Sequence, residues 1–290
     1  GEGGRFQLGF GGDTFNSAVY MARLGAKVAY VTALGDDPYS AGIMALAGSE
    51  GVEGHAIVTR PGRTPGLYLI ETEAGERSFW YWRERAPARE LFEADGAERA
   101  IAAVGGAAVV YFSGVTLSLY SPAGLDRFAD AIGDAKRAGA QVVMDSNFRP
   151  RGWGGDVARA RATFERFWRL ADVALPTFDD EATLWGDREP ADAVERLRAL
   201  GVAEIALKLG PNGALMADDT GVVAVPCPER VVARDTTAAG DAFNAAYVVA
   251  RRRGASPHEA ALAGHRLAGI VVQYPGAIVP RAATDGLLSA

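Results

Sequence analysis

The sequence predicts an α/β domain of three layers, with helices on both faces of a mainly parallel sheet and a small β flap set into it. Three observations carry that expectation. Apolar, β-branched runs alternate with stretches of helical spacing along most of the 290 residues, and repeated βα units build parallel sheets. One segment, residues 66–85, breaks the alternation with a period of two around a turn. The composition, 49% hydrophobic and 23% charged, is that of a globular chain, and no internal repeat, low-complexity tract or linker divides it. Residues 1–290 therefore read as one domain, with the 66–85 hairpin as a lid.

The elements follow in order. DTFNSAVYMARLG, Asp13 to Gly25, has apolar residues at helical spacing; Asp13 or Thr14 can cap it, and Gly25 suits the C-terminal position that takes positive φ. KVAYVTALG then reads as one buried strand. Residues 107–114 read as a strand and 121–139 as a helix with proline near its start; 141–147, 172–176 and 204–210 are further strands separated by helical sequence. Within 66–85 two strands meet at a turn around Glu73-Ala74-Gly75. Alternation there puts Phe79, Tyr81 and Arg83 on one side and Trp80 and Trp82 on the other. Aromatics packed on the core would explain such a hairpin. An Arg and a Tyr on one face also suit a polar ligand, and the hairpin suits a lid or a dimer-forming flap, with Trp80 and Trp82 as packing residues or flap contacts.

Several classes are disfavoured. A formal charge of −6 argues against general attraction to nucleic acid or to an anionic membrane. The single cysteine, Cys227, excludes an intrachain disulfide framework, and His55, His258 and His265 form no Cys/His metal spacing. No stretch is apolar and long enough to span a bilayer, and no signal peptide opens the chain. The expectation is a cytoplasmic protein acting on small molecules.

The most informative stretch is DTTAAGDAFNAAYV, residues 235–248. Amides at a helix start lack intrahelical partners, and the helix dipole adds partial positive charge there. Ala238, Ala239 and Gly240 are small enough to let a phosphate reach those amides, forming an anion hole for a transferring phosphoryl group. Asp241 can take a proton from an alcohol lying between them. These parts fit phosphoryl transfer to a hydroxyl. A capped helix start with small residues chosen for packing reads equally well from this stretch alone.

DTTAAGD closely resembles the second signature of the ribokinase-like (PfkB) carbohydrate kinases, D-T-x-G-A-G-D, with Ala238 in place of the first central glycine. GFGGDTFNSAVYMARLG (9–25) resembles the first signature, and two signatures in the right order are far more specific than a lone glycine motif. The resemblance implies a ribokinase-like αβα fold, ATP and Mg²⁺, and leaves a monovalent cation as an optional requirement. LKLGPNGAL (207–215) resembles the turn covering the nucleotide phosphates, implying Lys208, Gly210 and Gly213. HRLAGIVVQYPGAIVP (265–280) resembles the helix and loop bordering adenine, implying His265 and Gly276. Asn147 and Thr177 are implied at the nucleotide as well. For the family's Asn-x-x-Glu element, LPTFDDEATLWG puts Thr177 at the Asn and Asp180 at the Glu, implying that Asp180 serves Mg²⁺ through water; another register promotes Glu181, and Asp179 adjoins both. Family members open with a central strand ahead of the first signature. Here Gly1-Glu2 lead almost directly into it, so the sequence is expected to be incomplete at its start.

One branch fits best. GLYLIETEAGERSFWYWRERAPA, MDSNFRPRGW and VVQYPGAIVPR resemble the 2-keto-3-deoxygluconate kinases over essentially the whole chain. That resemblance implies that Tyr81 and Arg83 grip the 2-oxo acid end of a sugar acid. Arg149 contributes from the loop after VVMD, and Gly12, Asp13 and Tyr68 hold hydroxyls. Arginine is the usual bidentate partner of a carboxylate, and a neutral sugar would give two arginines nothing to neutralise. Arg149 also admits contact with ATP or structural pairing with Asp145. The implied partners are a sugar acid and ATP, with a second copy of the chain meeting the flap. Rival readings are another sugar kinase of this fold, a silent sugar- or nucleotide-binding protein, and a nicotinamide dehydrogenase; GFGGD leads into a helix without the glycine pattern the last requires.

Overall fold

The computed structural model describes residues 8–73 and 76–286; for residues 70–73, 76–79 and 81 it describes the backbone alone. In chain order the elements are α1 (Asp13–Arg23), β1 (Val28–Ala29), β2 (Thr32–Leu34), α2 (Pro38–Ser49), β3 (Val52–Glu53), β4 (Ile57–Thr59), β5 (Leu67–Glu73) and β6 (Glu76–Trp82). There follow α3 (Ala97–Gly105), β7 (Val109–Ser113), α4 (Gly114–Leu119), α5 (Pro122–Arg137), β8 (Gln141–Asp145), α6 (Val157–Trp168), β9 (Val173–Ala174), α7 (Phe178–Trp185) and α8 (Pro190–Ala199). The chain continues with β10 (Glu204–Lys208), β11 (Ala214–Asp218), β12 (Gly221–Val225), α9 (Ala239–Arg252) and α10 (Pro257–Val271).

Six strands form one sheet in the order β12-β11-β10-β9-β8-β7. β7 through β10 pair in parallel, while β11 and β12 add on antiparallel. Side-chain alternation divides the core into two layers. Val142, Met144, Ala174, Ile205 and Leu207 face a cluster that includes Phe112, Phe128, Phe164 and Phe167. Val143, Val173 and Ala206 face the opposite cluster, where Tyr20 and Met21 of α1 meet Ala242, Phe243 and Tyr247 of α9 and Leu267 of α10. The expected three-layer arrangement is thus produced by period-two burial along strands covered on both faces. Small residues on α9 and α10 allow close packing; at Gly264 an added Cβ would meet the Phe243 ring at 2.6 Å.

Two local expectations change. KVAYVTALG is not one strand: β1 pairs with β3 and β2 pairs with β4, both parallel, with the switch at Tyr30 and Val31. At α1, Gly25 does take positive φ (82°), but neither Asp13 nor Thr14 caps the helix. Gly12 holds the N-cap position, and the Asp13 side chain is engaged elsewhere.

The hairpin forms as expected, with Tyr68 opposite Tyr81 and Leu67 opposite Trp82. Trp80 and Trp82 do not pack on the core: both are about half exposed (54% and 52%). Residues 74 and 75 of the expected turn lie outside the described residues, as does the side chain of Tyr81. At one end of the sheet β7, β8 and β10 finish on Ser113, Asp145 and Lys208. Carboxyl ends of parallel strands are where open α/β sheets hold ligands, and the cavity lies there.

Candidate active site

A cavity of about 670 Å³ collects residues from both signatures, the sheet ends and the hairpin. Its wall includes Gly12, Asp13, Tyr68, Arg83, Asn147, Arg149, Thr177, Asp180, Lys208 and residues 236–241. Most of the residues singled out in the sequence are therefore brought together by the fold.

α9 begins as the signature requires. No side chain caps it, and its first intrahelical bond runs from Ala242 N to Ala238 O, leaving the first-turn amides without intrahelical partners. Ala238 sits at the N-cap with φ 62° and ψ 13°, a left-handed conformation that disfavours any residue with a Cβ. Substituting alanine for glycine there keeps the donors at the expense of backbone strain. The Asp235 side chain fixes the loop, accepting from Thr237 N and from Gly276 N, each at 2.8 Å.

Asp241 is 8% exposed and accepts from Asn16 Nδ2 at 2.8 Å, while Asn16 Oδ1 accepts from Gly12 N at 3.2 Å. Gly11 is confined nearby, since an added Cβ would meet Asn16 Oδ1 at 3.2 Å and the Tyr68 hydroxyl at 3.5 Å. Burial pushes the Asp241 carboxyl well above the ordinary carboxylate range. The charges of Asp13 and Asp145 add to that, opposed by the Asn16 amide and by Lys208. A carboxylate so placed is a strong proton acceptor in a water-poor site. Asp13 is also raised, chiefly by burial, against hydrogen bonds from Ser113 Oγ and Thr14 N. Asn147 Nδ2 reaches the same Asp13 oxygen at 3.3 Å.

Asp180 is the carboxylate of the α7 start that faces the cavity. It accepts from Arg149 Nη1 (3.2 Å), Phe148 N (3.2 Å) and Ser146 Oγ (3.3 Å), and burial raises it against the pull of Arg149. Glu181, the alternative in the other register, is wholly buried against Arg196 at 2.7 Å, and Asp179 is exposed; neither lines the cavity. The pairing open for Arg149 thus goes to Asp180, and Asp145 pairs instead with Lys208 at 3.0 Å. Among the described residues no group of three or more His, Cys, Asp or Glu is arranged to grip a metal. Asp180, the one carboxylate of the α7 start on the cavity wall, suits an ion held mainly by phosphate oxygens and water, the usual habit of Mg²⁺.

Four expected nucleotide residues are not on this wall. Gly210 and Gly213 bound the turn after β10, where a Cβ on Gly213 would strike Val225 O at 2.3 Å. His265 is buried beside the Phe243 ring (5.1 Å) and Cys227 Sγ (3.5 Å from Nδ1), and burial depresses its imidazole below the usual value. Gly276 serves the loop through its amide bond to Asp235. Conversely, Asn16, Val115, Asp145, Thr236 and Thr237 line the cavity without having been singled out for it. The two threonines could have been found as part of the signature.

Residues 1–284 match the family model described as pfkB family carbohydrate kinase, and the chain belongs to that family. It is 36% identical over 292 residues to the 2-dehydro-3-deoxygluconokinase of Escherichia coli K12, covering 97% of this chain and 94% of that protein. In structure it is similar to the 2-dehydro-3-deoxygluconokinase of Thermotoga maritima (TM-score 0.85, 21% identity, 100% of this chain and 93% of that one). It is also similar to aminoimidazole riboside kinase from Salmonella enterica, complexed with aminoimidazole riboside and an ATP analogue (TM-score 0.81, 24% identity, 96% and 92%).

Proposed function

We propose that this carbohydrate kinase transfers the terminal phosphoryl group of ATP to the C6 hydroxyl of 2-keto-3-deoxygluconate. The observation that carries this is the sharing of one cavity by Arg83, Arg149, Asp241 and the start of α9. Two guanidinium groups on the wall suit a substrate with its own carboxylate, and the names of the full-length relatives support the same acid.

In this reading Asp241 takes the proton of the attacking hydroxyl, held in line by Asn16. The amides of residues 238–240 receive the charge that develops on the phosphoryl oxygens. Arg83, stacked over the Tyr68 ring at 5.6 Å, grips the acid end together with Tyr81, while Gly12, Asp13 and Tyr68 hold hydroxyls. Arg149 joins Arg83 and Tyr81 at the acid end, Asn147 and Thr177 lie toward the nucleotide, and Asp180 would hold Mg²⁺ through water. When bound, Mg²⁺ would neutralise phosphate charge. The chain works as one domain in the cytoplasm, with the hairpin as its lid. The outward face of that hairpin, with Leu67, Trp80 and Trp82 each about half exposed, meets a second copy; a Trp82→Lys variant that sediments like the wild type would remove that contact from the reading.

Turnover with ATP and Mg²⁺ on 2-keto-3-deoxygluconate, its galactonate epimer and fructose tests the assignment. The gluconate acid is expected to give the highest kcat/KM. A preference for fructose over both acids would overturn it.

A further inference from the structure

We propose that Lys208 is a positioning residue for Asp241, the head of a buried hydrogen-bond network that ends on the main chain of the two signature aspartates. This rests on the reading of Asp241 as the base. Lys208 is 6% exposed, and its Nζ donates to Asp145 Oδ1 at 3.0 Å and to Asn244 Oδ1 at 2.8 Å. Asn244 Nδ2 lies 3.0 Å from the Tyr111 hydroxyl, which lies 3.2 Å from Ser17 Oγ. Ser17 Oγ lies 3.2 Å from the carbonyl oxygens of both Asp13 and Asp241.

The orientation of Asn244 in this network is fixed by chemistry. An ammonium group only donates, so Asn244 must turn its oxygen to Lys208 and its NH₂ to Tyr111. Tyr111 accepts from Asn244 Nδ2 and from Ser17 Oγ. Burial holds that phenol well above its ordinary value, so it keeps the proton. The Ser17 hydroxyl, whose one proton serves Tyr111 and the carbonyls of Asp13 and Asp241, ties the far end of the chain to both helix starts. With Asn244 and Ser17 both fully buried, water offers no substitute partner. Without the cation the Asn244 amide is free to reverse, and the order behind the first turns of α1 and α9 is lost.

Lys208 has a second effect through charge. The titratable groups facing Asp241 are Asp13 and Tyr20 from α1, Tyr111 from β7, Asp145 from β8 and Lys208 from β10, while Arg83 after the hairpin faces Asp13. Removing Lys208 leaves Asp145 uncompensated beside Asp241. The family resemblance implied Lys208 at the nucleotide phosphates; its side chain lines the cavity beside Gly240 while both hydrogen bonds run to the sheet end and α9.

The test compares Lys208→Met, Lys208→Arg and Tyr111→Phe with the wild type. Lys208→Met is expected to lower kcat about 100-fold with little change in KM for ATP, moving the acid limb of kcat/KM to higher pH. Lys208→Arg recovers part of the rate. Tyr111→Phe lowers kcat about tenfold and leaves the limb in place, because it interrupts the chain without altering charge. A large rise in KM for ATP in Lys208→Met with an unmoved limb, or wild-type kcat in Tyr111→Phe, would overturn the proposal. Should Lys208→Met fail to fold, Tyr111→Phe decides. The titration of the Asp241 carboxyl, followed by NMR in the wild type and in Lys208→Arg and Lys208→Met, reads the same coupling without turnover. It stays informative even if no sugar acid is phosphorylated: an upward move in Lys208→Met supports the role of Lys208, and coincident curves refute it.

Discussion

Asn16 donates its side-chain amide to the carboxylate of Asp241 across 225 positions of sequence, Nδ2 to Oδ2 at 2.8 Å. The amide favours the charged form of Asp241 and fixes which oxygen faces the cavity. Replacing Asn16 by Ala should lower kcat about tenfold and carry the acid limb of kcat/KM upward, since a donor to the carboxylate is lost. A pH–rate profile with an unshifted limb would show that Asn16 only packs.

Asp241→Asn should reduce turnover about a thousandfold while sugar-acid binding, measured calorimetrically, persists. It should also stabilise the protein at neutral pH. A carboxyl raised on folding contributes stability that is complete below its unfolded value of 3.8 and is lost as pH rises through its folded value. The variant is therefore expected to melt above the wild type at pH 8, with the gap closing toward pH 4. Near-normal turnover would exclude Asp241 as the base.

Ala238→Gly should raise stability by about 1 kcal/mol, because the left-handed conformation at this N-cap penalises a Cβ. For a chain of this size that is a rise of about 2 °C in Tm. The amides stay in place, so kcat should change by less than about twofold. A lower Tm would mean that the methyl group packs usefully.

Arg83→Ala should raise KM for a sugar acid about 30-fold, the value of a charge-assisted pair to a carboxylate, and leave any residual activity on neutral sugars untouched. Equal losses on both would make Arg83 a packing partner of Tyr68.

Glu181 predicts a pH response unrelated to catalysis. Burial lifts its carboxyl to about 7, against the pull of Arg196. Its share of stability is complete below 4.5 and is lost as pH rises through about 7. Glu181→Gln should flatten the melting curve of the ligand-free protein over that window. An unchanged slope would show that Arg196 and Asp187 compensate for it.

The α9 motif was legible because its parts are contiguous: small residues, a helix start and an acid lie within one turn, and their chemistry follows from spacing. The parallel sheet was legible for the same local reason. Asn16 was not, because one amide on the buried face of α1 carries no signal until α9 packs against it. The pairing of Asp145 with Lys208 was not either; strand ends of unlike sequence position meet only when the β7–β10 order is known. The split of KVAYVTALG between β1 and β2 was hidden too, since local propensity does not reveal a change of pairing partner. His265 and Gly276 lie in segments assigned correctly, but their side chain and amide serve Cys227, Phe243 and Asp235 and do not line the cavity.

Tyr68 and Arg83 stand at the attached end of the hairpin. β5 opens at Leu67, β6 closes at Trp82, and a Cβ on Gly66 would press on Arg83 Cγ at 3.1 Å. The far end, where Glu73 pairs with Glu76, is remote from both. Under the proposed function, substrate preference rests with the two roots of the flap and not with its length, so a change in the length of the flap leaves the sugar pocket as it is while a single exchange at position 83 alters it.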